Sequence, residues 1–248
     1  MSNKILLFFC LILASSCSEN EDSSDYLAID PYPNVTATFT GKININKLDN
    51  YASQAIPAYI TKDNTAGNTI TDKGATLGRV LFYDKNLSSK NTISCSSCHI
   101  QANAFGDVAV ASTGINGTTS RHSMRLINTR FSNENKFFWD ERATTLENQT
   151  TQPIQDHIEM GFSGTLGDGN FTSLITKLQN IGYYKELFKF TYGSDDITEN
   201  KIQLALSQFV RSIQSFDAKY DVGRALVAND NQQFPNFTIQ ENQGKNLF

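Results

Sequence analysis

Two cysteines stand three positions apart at Cys95 and Cys98, and His99 directly follows the second. C-x-x-C-H is the spacing at which a c-type haem is attached. The thiols add across the two haem vinyl groups, and the imidazole lies under the iron as its proximal axial ligand. Two thioethers and one iron–nitrogen bond hold the cofactor so firmly that the surrounding helices can be few and the loops long. Two other readings use the same residues. A thioredoxin-like redox pair also reads C-x-x-C, but it follows a strand in a βαβ setting, and the pattern preceding Cys95 is helical. A structural zinc site takes four nitrogen or sulfur ligands. Besides His99 only His122 and His157 remain to complete one, far apart in sequence.

The other cysteines, Cys10 and Cys17, fall in the N-terminal segment, so no pair is left for a structural disulfide. Lys4, the apolar run Ile5 to Leu13 and the small residues Ala14-Ser15-Ser16 read as an export signal over residues 1–17. The run is too short to span a bilayer. Ala14-Ser15-Ser16-Cys17 resembles a bacterial lipobox, with cleavage before Cys17 and acylation of its thiol. An ordinary cleaved signal is the alternative, because Leu13 sits one place further out than the usual pattern. Export and c-type haem agree, since such haem is attached outside the cytoplasm. The expected location is periplasmic, with a lipid at Cys17 as the membrane anchor. Ser18 to Asp25 is polar and acidic, as a flexible tether would be. The chain carries a net charge of −4 and no basic stripe, so nothing points to nucleic acid.

Residues 18–66 read as tether and irregular arm, poor in periodicity and punctuated by Pro31, Pro33 and Pro57. Thr71 is a suitable N-cap for a helix running to Asp84, with Leu77, Val80 and Leu81 on its apolar face. Gly106, Gly114 and Gly117 mark a loop after the haem motif that must pass over or beside the haem. Ala143 to Gln149 looks helical until Pro153 interrupts. Phe171, Leu174, Ile175 and Leu178 line one amphipathic helix; Ile202, Leu206, Phe209, Val210, Ile213 and Phe216 line the next. These stripes are core. No segment alternates as a strand, so the expected class is all-α: a cytochrome c-like haem domain over 67–228, with long irregular loops and an extended N-terminal arm. Residues 229–248 read as a polar linker and the start of a second domain.

Several stretches together resemble one family. They are Leu77-Gly78-Arg79-Val80-Leu81-Phe82-Tyr83-Asp84, Leu87-Ser88, Thr92-Ile93-Ser94 before the haem motif, and Phe138-Trp139-Asp140-Glu141-Arg142-Ala143. Gln149, Pro153-Ile154 and Glu159-Met160-Gly161 complete the set. This combination is similar to the bacterial di-haem cytochrome c peroxidases. The resemblance implies two facing haem domains, the N-terminal one peroxidatic and the C-terminal one feeding it electrons. Glu241 to Phe248 resembles the approach to a second haem motif, which the sequence does not contain, so a second haem is expected in a C-terminal part.

The resemblance also implies roles. Reduction of peroxide at ferric iron needs a proton moved from the near oxygen to the far one. It assigns Glu159 as that acid/base, Gln149 as the amide orienting peroxide, and Trp139 as an electron route between haems. Some members carry a capping histidine in the loop after the haem motif. That place falls near Gly114, so an open or water-bound distal face, active without prior reduction, is expected. His122 as a sixth iron ligand is the alternative. His122 also replaces an Asn that the family links to calcium, which weakens a calcium expectation. Arg79, Arg121 and Arg142 are candidates for haem propionates by charge alone, and His157 reads as a surface or loop residue. The implied substrate is hydrogen peroxide, the implied donor a small cytochrome c or cupredoxin, and a homodimer is compatible with the family. Two rival functions share these motifs: an electron-transfer module without turnover, and a di-haem oxidase acting on a protein substrate.

Overall fold

The computed structural model describes residues 29–132, 134 and 136–247; the export signal, Cys10, Cys17 and the acidic tether lie outside them. Tyr32–Phe248 forms one compact unit, and Ile29 to Pro31 belong to a separate N-terminal one. The described residues contain nine α-helices in the order α1 (Pro33–Thr38), α2 (Asp72–Tyr83), α3 (Cys95–Cys98), α4 (Leu146–Thr151), α5 (Phe171–Gln179), α6 (Gly182–Tyr192), α7 (Glu199–Ser212), α8 (Lys219–Ala225) and α9 (Ile239–Lys245). Strand pairing among them is limited to three isolated bridges. The class is all-α, as the patterning predicts. None of these helices is long and apolar enough to cross a membrane.

The core is built where α2 crosses α7. Thr71 caps α2 as expected: its Oγ1 accepts the N–H of Gly74 at 3.0 Å. Leu77 and Leu81 are fully buried, as are Ile202 and Ala205 opposite. Each buried leucine contributes about 1.5–3 kcal/mol of transfer free energy. The helices approach so closely that a Cβ on Gly78 would lie 2.0 Å from the Ala205 carbonyl oxygen. Glycine is required there for contact, not for turning.

Buried polar side chains lock this crossing. Arg211, 4% exposed, pairs through its Nη1 with Glu147 of α4 and donates from Nε to Asn64 Oδ1 at 2.9 Å. Asn68 donates to Glu147 Oε1 and to Ser207 Oγ, both at 2.8 Å, and accepts from Gln208. The Glu147 carboxyl is pushed up by burial, but hydrogen bonds from Arg211 and Asn68 outweigh this and bring it to about 2.

Five stretches differ from the sequence expectation. The arm contains α1, with Pro33 in its first turn and Val35 fully buried; Glu186 of α6 accepts the Val35 N–H at 2.9 Å. Helix α6 itself was not expected, because Tyr183, Phe190 and Tyr192 blur its apolar face, yet Tyr184, Leu187 and Phe188 are buried at helical spacing. Helix α4 begins three residues later than Ala143, since Ala143 pairs with Phe137 in a bridge and Thr145 supplies the cap. Phe216 lies beyond the end of α7 and packs on Phe131 at 5.3 Å between centroids. Within 229–247, Phe234 is 1% exposed and its N–H donates to Asn242 Oδ1 at 2.8 Å, so this stretch is folded on itself rather than solvated throughout.

Candidate active site

The C-x-x-C segment forms a single helical turn, α3, opened by Ser94, whose N–H donates to Ser97 Oγ at 3.0 Å. The turn brings Cys95, Cys98 and His99 to one wall, and both cysteines are free. Burial pushes the Cys95 thiol up to about 12 and the Cys98 thiol in the same direction.

His99 is oriented by its own loop. Its Nδ1–H donates to the Phe105 carbonyl at 2.9 Å, the Met124 backbone also lies against the ring, and Nε2 is the nitrogen that would face a metal. Burial holds the ring below the ordinary imidazole value, so it is kept in the neutral form that binds metals. The loop reaches back through two consecutive left-handed residues, Ala104 (φ 57°) and Phe105 (φ 55°). The Phe105 carbonyl carries no side-chain signal, and sequence reasoning missed it.

These three residues line a cavity of about 840 Å³, within the size range of pockets that enclose a cofactor. Its walls include Phe82 from α2, Leu206 and Val210 from α7, and the irregular stretch from Thr119 to Thr129. Free thiols at C-x-x-C spacing, a histidine with one committed nitrogen, and apolar walls fit a haem. Among the described residues no three His, Cys, Asp or Glu side chains gather to hold a metal ion, so the zinc alternative has no ligand set there.

Every catalytic candidate named from the sequence lines the same cavity: Gln149, Glu159 and Trp139, with His122 beside them. Gln149 is half-buried on α4, two residues from the Glu147–Arg211 pair that fixes that helix. Glu159 follows a turn closed by Asp156, whose Oδ1 accepts the N–H groups of Ile158 at 2.8 Å and Glu159 at 2.9 Å. Burial raises the Glu159 carboxyl, the Asp156 charge raises it further, and Arg142 opposes both. Asp156 also lines the cavity and was not singled out in the sequence.

The Glu159 segment is held from its other side by the 113–118 loop. Ile115 N–H donates to Glu159 O at 3.1 Å and Asn116 N–H to Ile158 O at 3.2 Å. Gly114 is pressed against this backbone; a Cβ there would lie 2.1 Å from Ile158 O and 3.0 Å from Glu159 Cα. His157, next in line, is held by Asp168 at 2.8 Å.

Trp139 is 60% exposed on a hairpin closed by the Phe137–Ala143 bridge. Its indole N–H donates to the His122 carbonyl at 2.9 Å. His122 spends Nδ1–H on Ala109 O at 2.8 Å. Arg121 and Arg142 both line the cavity and both pair with Asp140, whose carboxyl their hydrogen bonds bring to about 2. Arg125 lines it too, a cation the sequence reading passed over. Arg79 pairs instead with Asp49 at 2.9 Å and lies outside the cavity wall.

Comparison with known proteins agrees with this architecture. Residues 72–229 match the family model for di-haem cytochrome c peroxidase. The methylamine utilization protein MauG of Methylophilus methylotrophus is 32% identical over 166 residues, covering 66% of this chain and 46% of that protein. Cytochrome c551 peroxidase of Nitrosomonas europaea is 32% identical over 155 residues, covering 59% of this chain and 42% of the relative. A solved MauG-like protein associated with microbial copper homeostasis superposes with a TM-score of 0.61 at 30% identity, over 73% of this chain and 53% of its own. The chain thus spans under half the length of these two curated relatives. The motifs, the cavity and the matched span lead to one conclusion: the chain belongs to the di-haem cytochrome c peroxidase family.

Proposed function

We propose that this chain carries the peroxide-reducing site of a di-haem enzyme, in which hydrogen peroxide, two protons and two electrons give two waters. The electrons come from a small cytochrome c or cupredoxin. One observation carries the reading: a single cavity is lined by His99, oriented through its Nδ1, and by a desolvated carboxyl, Glu159, together with the amide of Gln149. Haem, held covalently through Cys95 and Cys98 and ligated by His99, supplies the electron exchange with peroxide. The chain's own residues do the rest. Gln149 orients the peroxide. Glu159 takes the proton from the near oxygen and delivers it to the far one, which leaves as water. Its raised pKa suits both halves of that transfer. Trp139 passes electrons from the second haem toward this site, and its exposure supports that role.

The crowding at Gly114 supports an open distal face, because no side chain fits at the place where the resemblance puts a capping histidine. The ferric protein then reacts without prior reduction. His122 commits Nδ1 to Ala109 and is the histidine of the cavity wall that could serve as a sixth ligand against this reading. Export and a lipid at Cys17 complete the proposal; the apolar run with its Ala14-Ser15-Ser16-Cys17 boundary and the c-type haem motif support them.

A second reading, oxidation of a protein substrate, is favoured by the identity to MauG. One experiment separates them. Full-length haem-loaded ferric protein is mixed with one equivalent of peroxide, and then with a reduced cytochrome c or cupredoxin. Rapid conversion of a high-spin spectrum followed by oxidation of the donor is expected. Conversion without donor oxidation favours the protein-substrate reading. A low-spin spectrum indifferent to peroxide overturns both in favour of an electron carrier.

A further inference from the structure

Behind His99 lies an aromatic path that peroxide reduction does not use. Phe82 is 2% exposed and lines the cavity. Its ring centroid is 6.4 Å from that of His99 and 5.2 Å from that of Tyr83, which it meets edge-on. Phe209 gives a parallel contact, 5.2 Å from Phe82 and 6.2 Å from Tyr83. Tyr83 ends α2 at the surface, 40% exposed, and its hydroxyl donates to Gln101 Oε1 at 3.2 Å. A phenylalanine ring is too hard to oxidise to hold a charge, but it bridges a tunnelling gap. A phenol gives up an electron once its proton can leave, and the Tyr83 hydroxyl stands at the edge of water. Tyr51, 6.4 Å from Phe209, is the less accessible phenol: it is 9% exposed and its hydroxyl is held between the Arg79 guanidinium at 3.2 Å and Asp49 Oδ2 at 3.4 Å.

We propose that Tyr83 is the surface end of an electron path from the proximal side of the haem, and that it is oxidised when peroxide arrives without an electron donor. The inference rests on the peroxide reading of the site. Tyr83 gives one electron to the haem through Phe82 and its phenolic proton to water, and becomes a neutral phenoxyl radical. Radicals on two molecules join by a carbon–carbon bond ortho to the hydroxyls, and both rings regain aromaticity. Over the whole sequence two phenols lose two electrons and two protons, and one hydrogen peroxide takes them up to give two waters. The path ends on the outer side of α2, away in sequence from the 137–143 hairpin that carries Trp139.

The test uses full-length haem-loaded protein, wild type and Tyr83→Phe, with no donor present. The oxidants are hydrogen peroxide and, in parallel, peracetic acid, whose carboxylate leaves without needing a proton from the protein. Haem oxidation is followed optically, and tyrosine coupling by dityrosine fluorescence and peptide mass spectrometry. Wild type is expected to cross-link through Tyr83. Tyr83→Phe is expected to lose that cross-link and to hold the oxidised haem spectrum longer, with the first reaction with oxidant unchanged. If peroxide leaves the haem unmoved while peracetic acid oxidises both haem and Tyr83, the path stands and the peroxide-reducing reading falls. If the haem is oxidised and Tyr83 stays unmodified, or Tyr83→Phe changes neither the decay nor the cross-link, the path is overturned.

Discussion

Nδ1 of His99 and the carbonyl oxygen of Phe105 lie 2.9 Å apart across a loop in which two successive residues are left-handed. That hydrogen bond decides which ring nitrogen remains for iron. It is obtained at a conformational cost, about 1–3 kcal/mol for each non-glycine residue held in this region. Ala104 tolerates the left-handed region better than a branched residue would. Ala104→Val is therefore expected to lower stability by about 2 kcal/mol and to loosen the His99 ring. Thermal denaturation reads the first effect, and broadening of the haem absorption bands reads the second.

Glu159→Gln is expected to slow the peroxide reaction by about 10²–10⁴-fold, the usual scale of general acid–base catalysis, with the ferric haem spectrum intact. Stopped-flow absorbance measures this, and unchanged kinetics would remove Glu159 from its role. The same substitution has a stability signature. The Glu159 carboxyl is raised above its ordinary 4.5 by burial and by Asp156, so its contribution to stability is fully present below 4.5 and lost as pH rises through the folded value. Relative to wild type, the glutamine variant should gain stability between acid and neutral pH.

The Arg211–Glu147 pair is expected to be unforgiving of single changes. Arg211→Met leaves the Glu147 carboxylate uncompensated and should cost about 3–5 kcal/mol at neutral pH. Glu147 falls from 4.5 to about 2 on folding, so its contribution is present above 4.5 and is lost as pH falls toward 2. Chemical denaturation at pH 7 and pH 3 should show the penalty of Arg211→Met shrinking on the acid side. Gln149 rides on the same helix, so peroxide kinetics should weaken together with stability.

Gly114→Ala tests the closed contact under the acid/base segment. The added methyl would meet Ile158 O at 2.1 Å, so the backbone must give way. Overpacking of this kind costs about 1–3 kcal/mol, and a shift of about 1 Å at Glu159 lowers the rate by about 10²-fold. Wild-type ferric protein should react with peroxide without a lag, whether or not it has first been reduced. A lag that prior reduction abolishes would show that the distal face is capped.

Helix α2 was legible in the sequence because Thr71 and the Leu77, Val80, Leu81 spacing are local signals. The C-x-x-C-H segment was legible because attachment of a c-type haem demands contiguous residues. What was not legible depends on distance along the chain. Glu147 and Arg211 are 64 residues apart, and neither looks unlike a solvated charge until the fold brings them together. Helix α6 was hidden by Tyr183, Phe190 and Tyr192, which are half-buried outside its core-facing side. The irregular 119–142 wall has no period at all; its residues reach the cavity because the chain must pass around a cofactor. Asp156 acts through two backbone N–H groups, so its value lies in a turn that residue identity alone does not announce.

Gly78 marks the part of the molecule least able to yield. With α2 and α7 nearly in backbone contact there, the helical platform is held by side chains of the chain itself. Two thiols and an imidazole are displayed at its edge, while the described residues between Thr119 and Arg142 contain no α-helix. A planar group seated at that edge would be covered by the loops, so its removal should loosen the 119–142 stretch while the α2–α7 crossing stays folded.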